Sequence, residues 1–60
     1  MTMTYRDKIL IEKAEAARKR RDYFAAAELE GTADTKEANE RLHVIASNAY
    51  RDEEYFGGLL

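Results

Sequence analysis

The chain has 60 residues, of which 45% are hydrophobic, and it contains no cysteine. The lack of cysteine excludes a disulfide framework and a thiolate metal site, and ten basic against twelve acidic residues, a net charge of −2, do not favour a nucleic-acid binder. No apolar run approaches the roughly 20 residues of a membrane span, and the N-terminus lacks the apolar core of a signal peptide, so we expect a cytoplasmic protein without a membrane partner.

The first predicted helix covers residues 5–30. Thr4 followed three residues later by Asp7 is a capping-box pattern, in which each side chain accepts a hydrogen bond from the other residue's amide, and it places the helix start near Tyr5. Gly31 offers the left-handed conformation with which many helices end. No proline interrupts the stretch between them.

The second predicted helix covers residues 35–56. Asp34 with Glu37 repeats the capping pattern, and no helix breaker follows before Gly57 and Gly58. These glycines end the helix, and we expect residues 57–60 to form a flexible C-terminal tail.

Two such helices predict an all-α fold: an antiparallel two-helix hairpin that forms a single domain over residues 1–60. Folding the hairpin at Gly31 sets Lys13 near Asp52 and Ile9 near Phe56. Because large core side chains are few, a lone hairpin gains little from burial, and we expect a homodimer that forms a four-helix bundle. The predicted seam of the first helix consists of Tyr5, Ile9, Ala16, Ala17, Tyr23, Phe24 and Ala27; that of the second contains Ala38, Leu42, Ile45, Ala46, Ala49 and Phe56.

Several apolar side chains lie off these seams and predict a surface for a partner or a second copy. The acidic and aromatic segment from Tyr50 to Phe56 is either a docking tip for another protein or the closing contact of the hairpin. The predicted interface residues are Ile11, Leu29, Val44, Tyr50, Tyr55 and Phe56.

The densest charge run is basic and covers residues 18–21. On a continuous helix these residues spread around the circumference, and Glu15 and Asp22 flank them, so an ordinary solvated helix surface is favoured. The alternative is contact with RNA or DNA phosphates, carried by Arg18, Lys19 and Arg21.

Glu40 and His43 have the Glu-x-x-His spacing of di-iron carboxylate bundles, in which other helices add glutamates. A single histidine per chain argues against a metal site, and a di-metal carboxylate bundle remains the weakest hypothesis. No sequence pattern indicates catalytic residues or a cofactor, so the chain is predicted not to be an enzyme.

One stretch of the second helix resembles a known family. Leu42-His43, Ala46, Tyr50-Arg51 and Phe56-Gly57 are similar to the second helix of the Rop family of plasmid copy-number proteins. The resemblance implies an antiparallel dimer of helical hairpins that binds paired RNA loops. The first helix departs from that family, since its outer surface carries Ile11, Glu15 and Lys19 instead of a phenylalanine and amides.

These observations favour a small non-enzymatic protein-interaction module: a regulator, an inhibitor or an assembly subunit. A Rop-like RNA- or DNA-binding bundle is the alternative function.

Overall fold

The computed structural model describes residues 3–57, and within them the side chains of residues 3–52. This part of the chain forms α1 (Tyr5–Lys19), α2 (Tyr23–Glu28) and α3 (Lys36–Gly57). The predicted all-α fold is therefore confirmed, whereas the predicted two-helix hairpin is wrong, because the first predicted helix is divided into two. Apart from Gly57, which belongs to α3, the predicted tail lies outside the described residues.

The start of α1 follows the prediction. Thr4 is the N-cap residue: its hydroxyl oxygen accepts a hydrogen bond of 3.1 Å from the Asp7 amide, and the Thr4 amide donates one of 3.3 Å to the Asp7 carboxylate. Both halves of the capping box are present, and Tyr5 is the first helical residue.

A left-handed turn at Arg21 ends α1. Arg21 has a φ of 59°, its amide donates to the Arg18 carbonyl at 3.0 Å, and the Asp22 amide donates to the Ala17 carbonyl at 2.9 Å. These two bonds form a Schellman motif, which usually has glycine at the left-handed position. Asp22 then caps α2 by accepting a hydrogen bond of 3.1 Å from the Ala25 amide. Because the motif contains no glycine, the sequence pattern did not predict this break.

The strain at Arg21 gives a first prediction. We expect Arg21→Gly to be more stable than Arg21→Ala by about 1 kcal/mol, because only the alanine keeps a Cβ in the left-handed region. Both variants lose the arginine side chain and its contacts, so their difference isolates the backbone term. Urea unfolding followed by circular dichroism measures it, and an alanine variant as stable as the glycine variant would contradict the left-handed turn.

The loop between α2 and α3 contains the predicted left-handed glycine, since Gly31 has a φ of 75°. The start of α3 differs from its prediction by one residue. The Thr35 hydroxyl, and not Asp34, accepts the capping hydrogen bond, which the Ala38 amide donates at 3.2 Å. The Asp34 carboxylate instead forms an ion pair of 2.8 Å with Arg6.

Helices α1 and α3 run parallel to each other. At one end the Thr35 hydroxyl donates to the Asp7 carboxylate at 2.7 Å, and at the other Arg18 forms an ion pair of 3.0 Å with Asp52. The first turns of the two helices therefore lie side by side, and both helices run in the same direction. The predicted pairing of Lys13 with Asp52 is wrong, because it assumed an antiparallel arrangement.

Helix α2 connects α1 to α3 in the chain and runs antiparallel to α3. The rings of Tyr23 and Tyr50 have centroids 5.2 Å apart, and His43 Nδ1 lies 2.6 Å from the Glu30 carboxylate. The described chain thus forms an up-down-up arrangement of three helices, in which the short α2 covers one side of the α1 and α3 pair.

The core consists of two clusters in which alanine dominates. Among residues 3–52, Leu42 is the largest apolar side chain that is completely buried. The predicted seam of the second helix is confirmed for its described core positions. That of the first is confirmed at Ala17 but wrong at Tyr5 and Phe24, which are exposed, and it leaves out buried Ile11. Buried Asp7 occupies the core stripe of α1, so an apolar pattern alone selects the wrong face. The clusters are Ile11, Ala14, Ala38, Leu42 and Ile45, and Ala17, Ala26, Ala46 and Ala49.

Candidate interaction surface

Three aromatic rings form a row across α2 and α3. The Tyr23 ring centroid lies 5.6 Å from that of Phe24 and 5.2 Å from that of Tyr50. Phe24 is 72% exposed and Tyr50 52% exposed, while Tyr23 between them is partly buried. We call these three residues the aromatic row. The turn at Arg21 creates it, because a helix that continued through that position would not bring Tyr23 back against α3.

A shallow groove of about 470 Å³ adjoins the aromatic row between α2 and α3. Its lining includes the small side chains of Ala46 and Ser47, and Arg51 lies at the end nearest the rings. The contact between Glu30 and His43 closes the other end. Small residues beside aromatic rings leave room for an inserted side chain, and Arg51 provides a cation for an acidic group.

The basic run lies at the end of the bundle that carries the aromatic row. Arg18 and Lys19 belong to the last turn of α1, whereas Arg21 belongs to the turn that follows. Arg18 points across to Asp52 on α3. The three predicted nucleic-acid contacts therefore belong to a helix end and a turn, and not to one continuous helix surface.

The predicted interface residues have different positions in the structure. Ile11 lies inside the bundle, and half-buried Leu29 packs against the same cluster, so the assignment of both to a strip outside the intramolecular core is wrong. Val44 is 55% exposed, and Tyr50 belongs to the aromatic row. The side chains of Tyr55 and Phe56 lie outside the described residues. Of the three residues of the aromatic row, the sequence pattern predicts only Tyr50 as an interface residue. An unbroken first helix places Tyr23 and Phe24 in the seam.

The chain matches no protein-family model, and no curated protein or solved structure is significantly similar to it. The interpretation of the aromatic row consequently depends on its own geometry.

Glu40 and His43, the pair of the metal hypothesis, both lie beside the loop that follows α2. His43 Nδ1 is in contact with Glu30, which lies just after the C-cap residue of α2. Within residues 3–52, for which side chains are described, no group of three or more His, Cys, Asp or Glu residues is placed to hold a metal ion. In the same described part, no helix is both long enough and apolar enough to cross a membrane.

Asp7 is a completely buried carboxylate. Burial raises its pKa, but hydrogen bonds from the Thr35 hydroxyl, the Asp34 amide and Thr4 outweigh burial and leave the pKa below its usual value. The two shortest of these bonds, from Thr35 and Asp34, are both 2.7 Å. Such a carboxylate is ionised at neutral pH and joins α1 to the start of α3, which is a structural role and does not suit a general acid.

Proposed function

We propose that this chain is a small non-enzymatic protein-interaction module, a regulator, inhibitor or assembly subunit, that binds its partner through the aromatic row. The exposure of Phe24 and Tyr50, whose rings lie on either side of the Tyr23 ring, is the observation that supports this function. Exposed aromatic side chains with arginine beside them have the composition of binding hot spots, where a few residues supply most of the affinity.

The groove supports the same function. A partner side chain inserted over Ala46 and Ser47 would contact the rings, and an acidic group beside it would reach Arg51. The contact of exposed rings with water is unfavourable in free energy. A docked partner that covers the rings removes this cost.

Nucleic-acid binding remains the second candidate, favoured by one observation. The turn at Arg21 places basic residues next to Tyr23 and Phe24 in the chain, and bases stack on exposed rings beside cations that hold the phosphates. Such binding would depend strongly on salt concentration because phosphate contacts release counterions.

Partner capture with matched variants tests the proposed function. We expect Phe24→Ala to weaken binding of a captured and then purified partner by more than about tenfold, because truncating a hot-spot ring commonly costs about 2 kcal/mol. Tyr5→Ala is the control: Tyr5 is 80% exposed but belongs to the first turn of α1, at the other end of the bundle. It should bind as the unaltered chain does.

Two results would contradict this proposal. One is partner binding that neither Phe24→Ala nor Tyr50→Ala changes. The other is salt-dependent binding to single-stranded RNA or DNA that disappears in the triple variant Arg18→Ala, Lys19→Ala and Arg21→Ala, which would favour the nucleic-acid function.

A further inference from the structure

The outer face of α3 carries a stripe of exposed residues that runs alongside the groove. Glu40, Val44, Ser47 and Arg51 follow one another at intervals of four, three and four residues, so they share one side of the helix. All four are exposed, and Leu42 and Ile45 point from the same helix into the core. The aromatic row lies beside this stripe, because Ser47 and Arg51 of the stripe line the same groove as Tyr23 and Tyr50.

The charges of this stripe are complementary to those of a second copy of the stripe that runs in the opposite direction. Glu40 lies towards the start of α3 and Arg51 towards its end, and neither forms an ion pair within the part of the chain that the structure describes. A two-fold axis between Val44 and Ser47 would set Glu40 of one copy against Arg51 of the other, and would do so twice. A parallel arrangement would instead oppose like charges.

The composition of the core gives a reason for a second copy to bind. Among residues 3–52 its buried large side chains are Ile11, Leu42 and Ile45, and the remaining buried members of the two clusters are alanines. Since small domains bury a small fraction of their surface, three helices with such a core are only marginally stable. Covering Phe24 and Tyr50 in a dimer would add the apolar burial that the single chain lacks.

We propose that the protein covering the aromatic row is a second copy of this chain, packed with the two α3 helices antiparallel so that Arg51 of each copy meets Glu40 of the other. This inference rests on the proposed function, because it names the partner that the aromatic row binds. Ser47 at the centre of the contact lets the two helices approach closely.

Exchange of the two charges tests the arrangement. Sedimentation over a dilution series should show a dimer for the unaltered chain, and Arg51→Glu and Glu40→Arg should each weaken it by at least about tenfold, since each opposes like charges across the interface. An equimolar mixture of the two variants should restore dimers, because every facing pair is then again of opposite charge. This restoration also shows that both variants are folded.

Disulfide trapping tests the direction of the helices. Because the chain has no cysteine of its own, no competing disulfide can form. A mixture of Glu40→Cys and Arg51→Cys chains should cross-link with each other faster than either does with itself. Preferential self-linking would indicate parallel helices and overturn the proposal.

Two further results would overturn the inference: a monomer at every concentration, or a dimer that neither charge reversal weakens. If the chain is monomeric and yet captures another protein in a Phe24-dependent manner, the second-copy inference fails and the proposed function stands. If neither self-association nor capture depends on Phe24, both fail.

Discussion

Leu42→Ala is expected to destabilise the chain by about 3 kcal/mol, because it deletes a completely buried aliphatic side chain and leaves a cavity in the cluster that it forms with Ile11 and Ile45. A domain of this size has only a few kcal/mol of stability, so the variant should lose much of its helical signal near 37 °C. Circular dichroism during urea and thermal unfolding measures the loss.

Val44→Ala is the matched control on the same helix. Its side chain is 55% exposed, so truncation should change the free energy of unfolding by about 0.5 kcal/mol or less. Both variants should be measured at the lowest protein concentration that the method allows, to keep association out of the comparison. Equal effects at the two positions would mean that α3 does not present Leu42 to α1.

Asp7→Asn should lower the midpoint of thermal unfolding at neutral pH by on the order of 10 °C, because the amide cannot accept all the hydrogen bonds that the carboxylate receives. The effect should depend on pH in one direction. Since the folded pKa lies below the unfolded value of 3.8, the charged carboxylate contributes stability at all pH values above 3.8, and this contribution is lost as the pH falls through the folded pKa. The gap between the two proteins should therefore narrow below about pH 4.

Asp34→Asn separates this effect from a general loss of acidic charge. The Asp34 carboxylate is partly exposed and pairs with Arg6 at the surface, so its removal should shift the midpoint by only a few degrees. A gap between Asp7→Asn and the unaltered chain that stays constant from pH 7 to pH 2 would contradict the assignment of the pH dependence to Asp7.

Local chemistry predicted part of this fold from the sequence. The reciprocal capping of Thr4 and Asp7 needs only neighbouring residues, and the glycine conformation at Gly31 is likewise a local property. The core face of α3 was predictable as well, because Leu42 and Ile45 follow a regular helical spacing without polar interruption.

The topology could not be predicted, and two residues explain why. Arg21 adopts a backbone conformation that is common for glycine and uncommon for arginine, so nothing in the sequence marks the end of α1. Asp7 is polar and buried, which hides the stripe that continues through Ile11. The same turn explains why the aromatic row could not be predicted in full. The sequence predicts Tyr50 as an interface residue, but Tyr23 and Phe24 lie beside it only because the chain turns at Arg21.

The parallel course of α1 and α3 has an electrostatic consequence. Each helix carries about half a positive elementary charge at its amino end, and a parallel pair sets two such ends side by side, where they repel each other. The Asp7 carboxylate accepts hydrogen bonds from Thr4 at one of these ends and from Thr35 at the other. One side chain therefore acts as the counter-ion of two helix dipoles, a task that an antiparallel pair, whose dipoles attract each other, would not have required.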